Sequence, residues 1–493
     1  MTTKIKPLDR LTTGVPGLDF ILAGGLFETG VYIIQGIAGS GKTILANQIC
    51  FHQAKQKRRA VYFTLLTEAH DRMLGFLHGL DFFDPKHVSD GVTYVSGFRI
   101  LETEGLPGVV RHIRDILGGQ RPSLFVIDGL VSAEELAPND TAFKKFLHEL
   151  QTVAAMFRCT VLLLTNTQSS TRLQAEHTMV DGIIELSADV VRLKSNRSIQ
   201  VSKLRGAGQR TGTHTLEISK QGIRVWPRVE TILRPSGLLP RPTNRKRLSI
   251  GIPSLDRTIE GGVPSGSNTM LMGPSGIGKT LTGLHFLDAG AAAGEKGLLF
   301  TFYEQAEELV DKARRLGLRD FVKGVDTGTI RIVWQSSVEA RVDQIGNQLV
   351  AAFEELAPSR VFIDGMHGFQ VTLDPDERIQ DFFAALADHF ASNDSTLLFT
   401  AETYDLVGDV LRPPFANASR MCQNIFVLRY AELRGRMTRV WSVMKMRDSD
   451  YDPSLREVTI ENDGIHIGEP INDADKLLSG LPIRAAEFED VSE

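Results

Sequence analysis

Short apolar runs alternate along the chain with stretches of helical period, and the alternation occurs twice. In the first half the runs are VYIIQG (31–36), AVYFTLL (60–66), SLFVIDG (123–129), TVLLLT (160–165) and DVVRLK (189–194). In the second half they are NTMLMG (268–273), GLLFTFY (297–303), RVFIDG (360–365), STLLFTA (395–401) and NIFVLRY (424–430). Their nearly continuous apolar character predicts strands covered on both faces. Stretches 42–56, 70–79, 108–118 and 141–157 separate the earlier runs with helical spacing. Strand alternating with helix predicts an α/β fold, a mainly parallel sheet flanked by helices, in each half. Segments 199–225 and 436–467 read as β-hairpins.

The two halves are one unit written twice. LTTGVPGLDFILAGGLFETGVYIIQGIAGSGKT (11–43) recurs as LSIGIPSLDRTIEGGVPSGSNTMLMGPSGIGKT (248–280), with Gly14, Leu18, Asp19, Gly24 and Gly25 returning as Gly251, Leu255, Asp256, Gly261 and Gly262. LFVIDGL (124–130) answers VFIDGMH (361–367), and QVSKLRG (200–206) answers SVMKMRD (442–448). A period this long marks a duplicated domain rather than a solenoid. Pro235, Pro240 and Pro242 and the cluster Arg245-Lys246-Arg247 lie between them, in a segment read as an exposed linker. The expected layout is a first domain over 1–230, a linker over 231–247, a second domain over 248–468 and a polar, acidic tail over 469–493.

Each half carries G-x-x-x-x-G-K-[ST] between a strand and a helix: Gly36 to Thr43, and Gly273 to Thr280. That context is what a phosphate cradle requires, because glycines let successive N–H groups turn inward and the helix presents its positive end. Gly39, Ser40, Gly41, Lys42 and Thr43 in the first half are expected to bind ATP. Gly276, Ile277, Gly278, Lys279 and Thr280 are their counterparts in the second. The lysine reaches the β- and γ-phosphates and the threonine hydroxyl ligates Mg2+. One such match is easily a glycine turn; two at the same repeat position point to function.

Asp128 and Asp364 end apolar strands, at the sheet edge where α/β folds bind ligands. They read as further Mg2+ residues acting through water, although an acid there also serves as a helix cap. Glu68 and Glu304 follow the second run and are candidates to orient or deprotonate the attacking water. Glu402 follows the fourth run, where the first half has Asn166. Lys203 with Arg205, and Lys445 with Arg447, alternate along late strands, so each pair projects to one side. Their recurrence favours a pair that reaches a neighbouring subunit's γ-phosphate over a solvated strand face.

Composition narrows the alternatives. Hydrophobic residues are 42% and charged residues 23% of the 493, which excludes a disordered chain or a small disulfide scaffold. The 55 Lys and Arg against 60 Asp and Glu leave a net charge of −5, unlike a protein that coats nucleic acid. Cys50, Cys159 and Cys422 are dispersed and set among apolar residues, the pattern of buried thiols in a reducing compartment. No apolar secretory core and no run of about 18 apolar residues is present, so a cytoplasmic protein without a membrane span is expected.

Together the duplicated P-loop unit, LTTGVPGLD…GG at its start, the IDG-type acid, the KLRG and KMRD segments and the endings at Gly222-Ile223 and Gly464-Ile465 resemble the KaiC family. This branch of the RecA-like ATPases is known from the cyanobacterial clock. The resemblance covers nearly the whole chain. It implies two stacked RecA-like domains, a double-ring homohexamer with ATP at subunit interfaces, ATPase activity, and Ser/Thr autokinase and autophosphatase activity in the second ring. A KaiB-like or other signalling partner is implied as well.

The chain departs from that family where the second strand ends in two catalytic glutamates. Here Leu66-Thr67 and Tyr303-Glu304 stand at those places. The trans-acting segment carries Gln209 and Tyr451 in place of a histidine, and Asp448 in place of a glycine. Counting back from LRYAELRG puts the clock protein's phosphoacceptor pair at Ser419-Arg420, which leaves Ser419 as the acceptor. The tail segment KLLSGLPIR (476–484) is similar to the start of the clock protein's extension. Two rival readings share the P-loops: a nucleotide-gated scaffold without turnover, and a RecA-like DNA-dependent ATPase.

Overall fold

The computed structural model describes residues 8–471 except 68–69, 167–178, 192–193, 234–245, 337, 339, 371, 373–377, 404–417, 434–435, 448 and 463. The chain divides into two compact units, Met1–Thr231 and Ile232–Glu493. Glu68, Asp448, most of the linker and nearly all of the expected tail fall outside the described residues.

One nine-stranded sheet forms the first unit. Its strands are β1 (Val31–Gly36), β2 (Ala60–Thr64), β3 (Val92–Ser96), β4 (Leu124–Asp128), β5 (Thr160–Thr165), β6 (Gly182–Val191), β7 (Lys194–Leu204), β8 (Thr213–Ser219) and β9 (Gly222–Trp226). They lie in the order β9-β8-β7-β6-β1-β5-β4-β2-β3. From β3 across to β6 every pair is parallel, and β6 through β9 pair antiparallel.

The second unit repeats that order. Its strands are β10 (Asn268–Gly273), β11 (Gly297–Thr301), β12 (Ile330–Trp334), β13 (Arg360–Asp364), β14 (Thr396–Glu402), β15 (Asn424–Leu433), β16 (Arg436–Met446), β17 (Arg456–Glu461) and β18 (Gly464–Pro470). They lie in the order β18-β17-β16-β15-β10-β14-β13-β11-β12. Every strand of the first unit thus has its counterpart nine places on, with the same neighbours. The expected mainly parallel sheets and C-terminal hairpins are both present.

One predicted strand is corrected. DVVRLK (189–194) does not form the parallel neighbour of β1; that strand is β6, beginning seven residues earlier at Gly182, and 189–194 straddles the ends of β6 and β7. The apolar run lies across the ends of two antiparallel strands, whereas the part of β6 that pairs with β1, GIIEL, is interrupted by Glu185. The edge strands β3 and β12 were not predicted, since each is short and only partly buried.

Helices cover both faces: α1 (Lys42–Lys55), α2 (His70–Leu77), α3 (Phe98–Gln120) and α4 (Asp140–Phe157), then α5 (Lys279–Ala292), α6 (Ala306–Arg315), α7 (Val342–Leu356), α8 (Arg378–Ser392) and the four-residue α9 (Ala418–Met421). Their starts have local causes. The Asn139 carboxamide accepts the Ala142 N–H at 2.9 Å to open α4, and Gln305 with Glu308 forms a capping box on α6. Strand residues alternate between two cores. Tyr32 and Ile34 face Leu45, Ile49 and Phe51 of α1, while Val31 and Ile33 face Val109, Ile113, Phe146 and Leu150 of α3 and α4. All three cysteines are buried; burial pushes the Cys422 thiol up to about 12 and raises the other two as well.

Arg360, at the start of β13, is 3% exposed. Its Nε donates to Glu295 Oε2 at 2.6 Å, and Nη1 donates to the carbonyls of Ser249 and Phe286 at 2.6 and 2.7 Å. Arg360→Met strands a half-buried carboxylate and two carbonyls. It is expected to cost about 3 kcal/mol, read as a lower thermal transition of the second unit, with the first unit's transition unmoved.

Candidate functional site

Both cradles open from the C-terminal edge of the central strand. β1 and β10 are almost wholly buried, with parallel neighbours on each side, so the loop after each is held from beneath. Gly41 and Gly278 turn the chain into α1 and α5 with φ of 107° and 117°. Gly39 and Gly276 have φ of 78° and 75°, with no non-neighbouring atom within 4 Å of where a side chain would begin. The left-handed backbone explains the glycines, and the empty space beside them is the cradle.

The lysines close each loop on itself. Lys42 Nζ donates to the carbonyls of Gly36 at 2.6 Å and Ile37 at 2.9 Å. Lys279 Nζ donates to those of Gly273 and Pro274, both at 2.7 Å. An ammonium has three donors, so each loop fixes its cation while leaving one N–H for an anion. Burial lowers both lysines from the usual value, against Asp128 in the first unit and Glu402 and Asp364 in the second, which raise them. The Ser40 hydroxyl is buried without a partner beneath Gly36, among the described residues.

Asp128 and Asp364 end β4 and β13, facing the loops. The Thr280 hydroxyl donates to Asp364 Oδ2 at 2.7 Å and the Thr400 hydroxyl to Oδ1 at 2.8 Å. Asp364 is 3% exposed, and burial raises its carboxyl above the usual range, with Glu304 adding to the rise and the two threonines and Lys279 opposing it. Asp128 is half-buried and accepts the Tyr62 hydroxyl on Oδ2 at 2.5 Å.

Two clefts hold these groups. The first, of about 220 Å³, is lined by Gly39, Lys42, Thr43, Asp128 and Asn166, with Leu66 and His70 beside them. The second, of about 780 Å³, brings Gly278, Lys279, Thr280, Glu304, Asp364 and Glu402 together. Glu304 Oε2 accepts Lys312 Nζ from α6 at 2.5 Å. A cation, loop N–H groups and hard oxygen donors in one cleft suit a nucleotide phosphate with magnesium.

The late-strand cations lie elsewhere. Lys445 is level with Ile425 and Met270, and the Arg447 N–H bonds Gln423 O, next to the start of β10. Arg205 N–H bonds Asp181 O, whose own N–H bonds Val31 O at the start of β1, and Lys203 stands opposite Ile183. The P-loops open from the other ends of those strands, roughly 16 Å away along the chain. Lys445 Nζ donates to the carbonyls of Ser419 at 2.5 Å and Cys422 at 2.8 Å, and Arg447 Nη2 to that of Arg420 at 3.1 Å. Ser419, on α9, is exposed beside this pair. The structure therefore gathers the P-loops with Asp128, Asp364 and Glu304, and sets both K-x-R pairs and Ser419 at the opposite edge.

Tyr62, Thr400 and Lys312 were not singled out from sequence. The available signal was a polar side chain inside an otherwise apolar strand, as in AVYFT and TLLFTAE. Lys312 had none, because only the fold of α6 brings it back to Glu304.

Twin P-loops on duplicated parallel sheets, each with a strand-ending acid, define a tandem RecA-like ATPase. The chain belongs to the KaiC family: the family model described as "ATPase: KaiC" matches residues 11–230 and 248–472. The circadian clock protein KaiC3 of Synechocystis sp. is 26% identical over 98% of this chain and 96% of its own length. The circadian clock oscillator protein KaiC of Picosynechococcus sp. is 24% identical over 98% of this chain and 94% of its own, and that of Rippkaea orientalis 23% over 96% and 92%. Among the described residues no helix is long and apolar enough to cross a membrane.

Asp364 gives a pH-dependent outcome. A carboxyl whose folded pKa is raised contributes stability below its ordinary value of 3.8, and loses it as pH rises through the folded value. Nucleotide-free Asp364→Asn is therefore expected to melt higher than the parent at pH 8, with a smaller gain at pH 5. Thermal melts at the two pH values check the sign.

Proposed function

We propose that each unit binds ATP with Mg2+, and that the second unit is the principal site of hydrolysis. Support comes first from the twin cradles, each with an ammonium fixed over its own loop. Lys42 and Lys279 would contact the β- and γ-phosphates, with Gly39, Ser40 and Gly41, and Gly276, Ile277 and Gly278, supplying backbone donors. Thr43 and Thr280 would ligate the metal, and Asp128 and Asp364 would hold its water shell. Magnesium, when bound with the nucleotide, offsets the charge of the phosphates. Glu304 orients the attacking water and accepts its proton, once it exchanges Lys312 for that water. Glu402 is a polar sensor of the same cleft.

The same reading makes the protein a homohexamer of ATPase domains 1–230 and 248–468, joined by 231–247, acting in the cytoplasm. Lys203 with Arg205, and Lys445 with Arg447, stand at the far ends of the strands that carry their own P-loops, so a neighbour's phosphate is the one within reach. Ser419 lies beside Lys445 and is the candidate acceptor for an autokinase activity of the second unit. The relatives' names carry a clock role, and a KaiB-like signalling protein is the corresponding partner. The net charge of −5 weighs against a DNA-dependent ATPase. A non-catalytic scaffold is favoured for the first unit alone, by Leu66 and Thr67 at the end of its second strand, where the family resemblance would place glutamates; Glu68 is its remaining carboxylate candidate.

Phosphate release from purified protein separates these readings. Glu304→Gln is expected to lower turnover at least about 100-fold, and Glu68→Gln to leave most of it. A collapse with Glu68→Gln alone would move the engine to the first unit; hexamers with ATP but no turnover in the parent would leave a scaffold. Intact mass after incubation with Mg-ATP tests Ser419. One added phosphate, absent from Ser419→Ala, is expected, and no added mass removes the kinase reading.

A further inference from the structure

The two strand-ending acids are held by different donors, and the difference is reciprocal. Asp364 accepts Thr400 from β14. In the first unit the same register place on β5, directly opposite Asp128, is Leu164, a fully apolar side chain that is 1% exposed. Asp128 instead accepts a hydroxyl from the strand on its other side, Tyr62 of β2. Tyr62 is level with Val126, and its counterpart in the second unit, level with Phe362, is Leu299. One unit therefore pairs Tyr62 with Leu164 and the other pairs Leu299 with Thr400.

All four side chains lie on the sheet face covered by the P-loop helix. Tyr62 and Leu164 belong to the core packed on α1, and Leu299 to the core packed on α5. Tyr62 is 0% exposed, yet its hydroxyl reaches the cleft's acid at 2.5 Å. In the second unit Thr280 meets Asp364 directly at 2.7 Å. Burial and the neighbouring Asp128 both raise Tyr62 well above the ordinary phenol value, so it is a neutral donor throughout the working pH range.

We infer that Tyr62 is a positioning residue of the first unit: its hydroxyl orients Asp128 for the nucleotide's metal, replacing the donor that Thr400 supplies from the opposite strand in the second unit. The inference rests on the reading of Asp128 as a metal-organising acid. A carboxylate can turn about its terminal bond, and a hydrogen bond on one oxygen narrows that rotation. Removing such a supporting donor typically lowers metal affinity about 10- to 100-fold while leaving the other ligands in place.

The test is the metal-dependent part of nucleotide affinity, measured on the full chain with a fluorescent ADP analogue in Mg2+ and in EDTA. A Lys279→Ala background confines tight binding to the first cradle. Tyr62→Phe keeps the ring and removes the hydroxyl. It is expected to lower the Mg2+-over-EDTA gain about tenfold with the EDTA affinity unchanged. Adding Leu164→Thr, which supplies a hydroxyl from the other strand, is expected to restore most of that gain. An unchanged gain in Tyr62→Phe overturns the inference. So does an equal loss in Mg2+ and EDTA, the mark of a purely packing role, and so does a loss that Leu164→Thr fails to restore. Should the parent itself show no Mg2+ gain, the metal reading of Asp128 falls and this inference with it. Thr400→Val in a Lys42→Ala background provides a second variant, with the same tenfold fall expected in the second cradle.

Discussion

The ammonium that each P-loop lysine lays across the carbonyls of its own loop is the contact on which the rest depends. A loop of left-handed glycines between a buried strand and a helix has many conformations open to it, and its N–H groups converge only if something holds the turn. Lys42 and Lys279 do so with two short bonds each, from the first residue of a helix back to the end of a strand. These bonds place a desolvated cation where phosphates arrive, and burial makes the attraction stronger than it would be in water. The glycines are then explained twice: by their φ values, and by the empty space beside Gly39 and Gly276 that any larger residue would narrow.

A second constraint follows from the parallel sheet. Parallel strands send all their carboxyl ends to one edge, so the P-loop, the acid after β4 or β13 and the carboxylate after β11 gather without further design. The antiparallel β7 and β16 run the other way and return the recurring Lys-x-Arg pairs to the starting edge. A chain that repeats this arrangement in both units has built a donor of phosphate contacts and an acceptor of them on opposite sides of each sheet. On the proposal above, such a subunit would be complete only beside another copy. In the single chain Lys445 and Arg447 are held on the carbonyls of Ser419, Arg420 and Cys422.

Much of this was legible in the sequence because it is local. The strand–P-loop–helix unit occupies 25 consecutive residues in each half, and its glycines, lysine and threonine have no freedom of spacing. The strands β1, β5 and β10 were read to the residue, since an unbroken apolar run bounded by turn residues leaves little room for error. The parts that were not legible are set by register between distant strands. Nothing in AVYFT says that its tyrosine hydroxyl meets an aspartate sixty-six residues on, and DVVRLK looks like a buried strand although it lies across the ends of two antiparallel strands. Lys312 reaches Glu304 only because α6 folds back over the strand it follows.

Duplication turns these hidden contacts into evidence. If the two units differed at random, a polar residue lost from one strand would leave its acid unsupported. Instead Leu164 faces Tyr62 across Asp128 where Thr400 faces Leu299 across Asp364, so the loss on one side is matched by a gain on the other. The clefts do not show the same balance elsewhere: Glu304 lines one and Leu66 the other. Support for the acid has been kept in both units while the group that would activate water has diverged. A site that only had to be discarded would not need its acid held in place. The first unit's cleft keeps its lysine, its threonine and a held acid, the groups that in the proposal above would grip a charged ligand.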